Sequence, residues 1–169
     1  MAQIENVLQD MNPWWKGEFS IEFKERGLHK KIQKYLPLRQ IIAFIGLRRV
    51  GKTTLMLRIV EDEIKKGFGA RNILFFSFDE FRDIEIDELI KAYEIFLEKD
   101  IRKGKYLLLF DEIQKLNDWE NKVKRIYVSD IIFSRSKRLS RKYSHDCRIK
   151  KVQVLPIKRE DIKSILGEI

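Results

Sequence analysis

The sequence predicts a three-layer α/β domain with a parallel sheet of about five strands, and three features carry that expectation. The apolar runs at 41–45, 72–78 and 105–110 lack the polar alternation of a half-solvated sheet, so their strands are covered on both faces. The segments between them place apolar residues at helical spacing, as Leu55, Met56, Ile59, Val60 and Ile64 do. Strands that alternate with helices need crossover connections, which make neighbouring strands parallel. With 169 residues, 44% of them hydrophobic, the chain is long enough to bury a core.

Taken in order, residues 1–12 form a short helix with Ile4, Val7, Leu8 and Met11 on one side. Asn12-Pro13 ends it, because a residue before proline is pushed out of the helical region. Trp14-Trp15 follows, and at least one of the two indoles is expected on the core or at an interface. A helix near 28–36 stops at Pro37, just before the first strand, Ile41-Ile42-Ala43-Phe44-Ile45. The next helix runs to about Lys66, with Gly67 and Gly69 as its stop. Residues 72–78 are the second strand. Leu89, Ile90, Tyr93, Phe96 and Leu97 mark a further helix, expected to end at Gly104. The third strand is 105–110, a short helix carries Trp119, Val123, Ile126 and Tyr127, and strands at 130–133 and 151–155 complete the sheet. These elements divide the chain into an N-terminal helical segment packed on the core (1–38), the core itself (39–157) and a short C-terminal stretch (158–169).

Between the first strand and its helix lies Gly46-Leu47-Arg48-Arg49-Val50-Gly51-Lys52-Thr53-Thr54, which fits G-x-x-x-x-G-K-[ST]. A polyphosphate needs several backbone N–H groups aimed at one point, and side chains beyond Cβ would obstruct the wrap, so glycine stands at both ends. The helix that opens near Gly51 adds unpaired N–H groups and the positive end of its dipole. Lys52 can reach the β- and γ-phosphates, and Thr53 can offer its hydroxyl to Mg²⁺. The loop predicts a P-loop NTPase core with 46–54 as its nucleotide-binding residues.

The third strand ends in Leu107-Leu108-Leu109-Phe110-Asp111-Glu112. A magnesium nucleotide needs a carboxylate opposite the phosphate loop, and a buried strand end is a rigid place for one. Asp111 fits as the metal-side acid, with Thr53, and Glu112 as the group that polarises a water in line with the γ-phosphate. A GTPase would show a glycine soon after its metal aspartate and an Asn-Lys-x-Asp motif. Here Asp111-Glu112-Ile113-Gln114 lacks the glycine and Asn121-Lys122-Val123-Lys124 lacks the aspartate. The pattern favours ATP hydrolysis, with Lys52 and Glu112 as the catalytic pair.

The net charge of +9 is concentrated. Residues 1–133 carry 24 Lys+Arg against 22 Asp+Glu, and residues 134–151 carry 8 against one. The fold as a whole is therefore not a basic nucleic-acid binder. The single cysteine, Cys147, excludes an internal disulfide framework and fits a reducing cytoplasm. His29 and His145 lie far apart, each expected on the surface and not as a metal ligand. No apolar run reaches membrane-spanning length, and the N-terminus is unlike a signal peptide.

The segments Gly46–Leu55 and Leu109-Phe110-Asp111-Glu112-Ile113-Gln114-Lys115-Leu116-Asn117-Asp118-Trp119-Glu120 resemble an AAA-type P-loop ATPase family common in archaea. Its pattern runs G-x-R-R-V-G-K-T-T-L and then D-E-I-Q-x-x-x-x-W, and Asn12-Pro13-Trp14-Trp15 resembles its N-terminal segment. The likeness covers roughly residues 3–133. It implies ATP with Mg²⁺, Lys52 and Thr53 on phosphates and metal, and Asp111 and Glu112 as metal ligand and catalytic acid. The family ends its fourth strand in Thr-Gly-Ser, which implies Ser134 of Ser134-Arg135-Ser136 as the sensor hydroxyl, with the glycine missing. Its Gly-Arg pair finds its nearest counterpart in Cys147-Arg148, which implies Arg148 as the group that would contact a neighbouring subunit's nucleotide. Family chains continue through a helical lid, so 158–169 is expected to be the start of a lid cut short.

Three functions follow as alternatives: a Mg²⁺-dependent ATPase, a switch or remnant that binds ATP without turnover, and an ATPase that touches nucleic acid through 134–151. In the last, Arg135, Lys137, Arg138, Arg141, Lys142, Arg148, Lys150 and Lys151 would form the patch and Tyr143 would stack. A solvated loop is favoured there, since charge alone is poor evidence of a partner. A second copy of the chain or another protein is the expected macromolecular partner.

Overall fold

The computed structural model describes residues 2–23, 27–38, 41–81, 84–126, 130–135 and 149–153. Five strands form one sheet: β1 (Ile41–Ile45), β2 (Ile73–Ser77), β3 (Leu107–Asp111), β4 (Asp130–Arg135) and β5 (Ile149–Gln153). All paired neighbours run parallel, which bears out the predicted α/β class. The helices are α1 (Ala2–Met11), α2 (Gly27–Gln33), α3 (Lys52–Lys65), α4 (Ile86–Leu97) and α5 (Trp119–Arg125).

The strand order is β2-β3-β4-β1-β5. After β1 the chain crosses by α3 to the far edge, and β4 later returns to fill the space between β3 and β1. Open parallel sheets bind ligands beyond the carboxyl ends of the strands, where the connections diverge to opposite sides. Here that point is the end of β1. Adjacent strands lie about 4.8 Å apart, so β1 and β3 are separated by about 10 Å across β4. The phosphate loop and the acidic strand end therefore face each other across β4 without touching through the backbone.

Several boundaries differ from those expected. Helix α4 stops at Leu97 and not at Gly104, because Glu98 takes a left-handed conformation (φ 54°) and its N–H bonds back to Glu94 and Ile95. Strand β3 includes Asp111 and β4 includes Ser134, so both polar residues are held by the sheet ladder. Strand β5 is Ile149–Gln153, beginning two residues before the expected start, and residues 154 and 155 lie outside the described residues. Tyr127, Cys147 and His145 also lie outside them.

β2 is an edge strand, yet all five of its residues are buried. The N-terminal segment explains this. Asn12, fully buried, accepts from the Phe75 N–H at 2.6 Å and donates to the Phe75 carbonyl at 3.0 Å. Its second amide hydrogen closes the end of α1 on the Leu8 carbonyl at 2.7 Å. The indoles of Trp14 and Trp15 both donate to the Ile73 carbonyl, at 3.2 and 2.8 Å. Trp15 stacks on Phe96 and Tyr93 of α4, with ring centroids 4.7 and 5.5 Å apart. Both tryptophans are buried. A side chain and two indoles thus satisfy a row of backbone groups that would otherwise await another strand.

His29 is buried, contrary to its expected surface position, and pairs with Asp62 of α3 at 2.5 Å. Gln33 donates to the same carboxylate at 3.0 Å, which docks α2 on α3. The residue preceding Asp62, buried Glu61, accepts from Lys65 at 2.5 Å and from Arg58 at 3.0 Å. The Lys65 hydrogen bond, aided by the Arg58 charge and opposed by burial, holds the Glu61 carboxyl below its ordinary value of 4.5. A depressed carboxylate contributes stability above its unfolded value, and that stability is lost as pH falls through the folded one. Glu61→Gln is therefore expected to flatten the acid limb of stability below about pH 4.5, as read by urea unfolding at a series of pH values.

Candidate functional site

Gly51 caps α3 with φ 83°, a left-handed angle that favours glycine and turns the loop sharply into the helix. Val50 is buried and anchors the loop, while Leu47, Arg48 and Arg49 are exposed at its tip. Arg49 also lies at positive φ (61°). Lys52 opens the helix with its side chain 4% exposed, and a buried ammonium needs partners. It donates to the Leu47 carbonyl at 2.8 Å and the Gly46 carbonyl at 3.4 Å, and lies 3.5 Å from Glu112 Oε1.

Thr53, one residue on, donates its hydroxyl to Asp111 Oδ2 at 2.6 Å. The two residues expected to serve the metal are thus in direct contact, although 58 positions separate them. Asp111 is itself fixed twice over. Its backbone carbonyl accepts from the Phe78 N–H at 3.0 Å, and its Oδ1 accepts from the Ser134 hydroxyl. The Ser134 oxygen in turn accepts from the Glu112 N–H at 3.0 Å. Ser134 is fully buried on β4 and joins the acidic pair from the strand between β3 and β1.

Glu112 adopts φ 49°, uncommon for a residue with a side chain, and such conformations cluster at functional sites. Its carboxylate is shared between Lys52 and the side-chain amide of Gln114, which donates to Oε2. Around these groups opens a cavity of about 840 Å³, lined among others by Arg48, Lys52, Thr53, Asp79, Asp111 and Glu112. The hydroxyl of Thr53 beside a strand-end carboxylate is a hard oxygen pair suited to Mg²⁺. No group of three His, Cys, Asp or Glu among the described residues could hold a metal alone. A Mg²⁺ ion here would complete its shell with phosphate oxygens and water, its usual habit.

The loop residues, Asp111, Glu112 and Ser134 converge, whereas Arg148 and most of the basic stretch (136–148) lie outside the described residues. Sequence reasoning passed over Gln114, Asp79 and Lys115. A glutamine two residues after the acid pair was a usable signal, but the approach of Asp79 from β2 depends on strand order. No helix among the described residues is long and apolar enough to cross a membrane.

Comparison with known proteins agrees with this geometry. A family model described as "AAA domain" (AAA_14) matches residues 38–162. Two uncharacterized proteins of Methanocaldococcus jannaschii are similar: MJ1637, 34% identical over 110 residues, and MJ1544, 30% identical over 142. Those stretches are 63% and 79% of this chain but only 23% and 30% of the relatives, so the chain spans less than a third of their length. Among solved structures, a DNA replication initiation factor superposes with a TM-score of 0.54 at 19% identity, covering 88% of this chain and 51% of that one. That likeness is one of fold. The family match takes in the loop, the acidic strand end and Ser134 alike: the chain belongs to the AAA-domain family of P-loop ATPases.

Proposed function

We propose that this chain binds ATP with Mg²⁺ at the 46–54 loop and hydrolyses it to ADP and phosphate. The observation that supports it most is the contact between Thr53 and Asp111, at 2.6 Å, beside Lys52 and Glu112 at 3.5 Å. Two local motifs from different parts of the chain converge on one cavity with their polar atoms already aimed at a common point.

In this reading the amides of the loop and of the α3 N-terminus hold the phosphates, and Lys52 exchanges its Glu112 contact for them. Thr53 and Asp111 would hold the ion, which would supply positive charge to neutralise the phosphates. Glu112, freed from Lys52, orients a water and takes its proton at a carboxylate oxygen. Ser134 keeps Asp111 and Glu112 in register, so the reaction relies on positioning and charge and not on a covalent intermediate. Arg148, a second copy of the chain and a cytoplasmic setting belong to the same proposal.

Calorimetric titration is the direct test. ATP uptake is expected with magnesium and weakened without it, together with steady phosphate release. Lys52→Ala is expected to weaken ATP binding by about tenfold or more, the cost of a charged hydrogen-bond partner. Binding without phosphate release selects the switch reading, and no binding at all removes the nucleotide.

A further inference from the structure

We infer that Asp79 is a positioning residue that tempers this site's preference for a nucleoside triphosphate over a diphosphate, by holding Arg48 in a bridge shared with Lys115. The inference rests on the nucleotide reading above and deepens it.

Asp79 stands just past the end of β2, at the mouth of the cavity. Arg48, on the phosphate-loop tip, donates to its Oδ2 at 3.3 Å. Lys115, three residues after Glu112, lies 3.2 Å from its Oδ1. One carboxylate thus ties the loop after β1 to the turn that carries Glu112 and Gln114. The post is rigid, because the neighbouring Phe78 N–H is bonded to the Asp111 carbonyl at 3.0 Å.

The two sides of the bridge differ in how easily they part. The Arg48 side chain is 71% exposed, and a solvent-exposed ion pair holds weakly. Lys115, on the other side, is only 31% exposed, and Lys52 of the same loop as Arg48 is tied inward by two loop carbonyls and Glu112. Arg48 therefore is a loop cation that an added anionic charge in the same cavity can draw away at low cost. A guanidinium also matches phosphate oxygens in a two-pronged fashion that a lysine does not. A triphosphate supplies more charge than a diphosphate, so it competes better with Asp79 for Arg48. Once Arg48 leaves, Asp79 is held by Lys115 on the Glu112 turn, and occupancy of the loop is felt at the acidic residue.

The test is calorimetric affinity for Mg-ATP and Mg-ADP in wild type, Asp79→Asn, Arg48→Ala, the double variant and Lys115→Ala. Asp79→Asn is expected to raise the preference for ATP over ADP by about two- to fivefold, the range of an exposed ion pair. It is expected to have no effect on that preference when Arg48 is already Ala. Asp79→Glu is expected to restore the wild-type preference. Lys115→Ala tightens the hold of Asp79 on Arg48 and is expected to move the preference the other way, which keeps the test valid if Asp79→Asn folds poorly. Equal changes for ATP and ADP, or the same shift with and without Arg48, overturn the inference while the nucleotide reading stands. A wild-type protein that takes up neither nucleotide overturns both.

Discussion

Replacing Glu112 by Gln is expected to lower phosphate release by about 10²–10⁴-fold, the usual contribution of a positioned general base. ATP affinity is expected to hold or improve. Glu112 lies 3.5 Å from the buried Lys52 ammonium, and a neutral amide there leaves Lys52 more available to phosphate. Gln has the same backbone demands as Glu and can keep the N–H bond to Ser134, so the melting temperature is expected to move little. Single-turnover phosphate release beside calorimetric binding separates the two effects. Equal and non-zero rates in both proteins would remove Glu112 from the chemistry and leave the loop as a binding site only.

Asn12→Ala is the other large effect, and it falls on stability. The change removes both partners of Phe75, whose N–H and carbonyl are buried on an edge strand, and also the contact to the Leu8 carbonyl. Each buried group left without a partner costs about 1–3 kcal/mol. A loss of about 2–5 kcal/mol is therefore expected, a large share of the roughly 5–15 kcal/mol that holds a domain folded. Urea unfolding reads it as a lower midpoint at unchanged slope. A loss under about 1 kcal/mol would mean that water replaces Asn12 along β2, and that the strand is less sealed than its five buried residues indicate.

The two results probe different layers of what was legible in advance. The strand–loop–helix around Gly51 and the acidic end of β3 were readable because each is local: a few residues at fixed spacing determine the chemistry. The helices were readable from apolar periodicity, although α4 ended early where Glu98 turned left-handed, something no glycine announced. His29 looked like a surface residue because its partner Asp62 lies 33 positions away on another helix. The Trp14-Trp15 pair signalled burial, but not that both indoles would reach one backbone carbonyl.

By itself, the sequence established an α/β domain with a phosphate loop after its first strand and an acidic pair after its third. Those features follow from periodicity and short spacing, which act within a few residues. Only the tertiary structure decided that β4 lies between β1 and β3 and brings Ser134 to Asp111 and Glu112. It also decided that Asn12 seals the β2 edge, and that Asp79 meets Arg48 and Lys115. Such choices depend on which strands pair across the whole chain, and burial of the shared core settles them where no local signal exists.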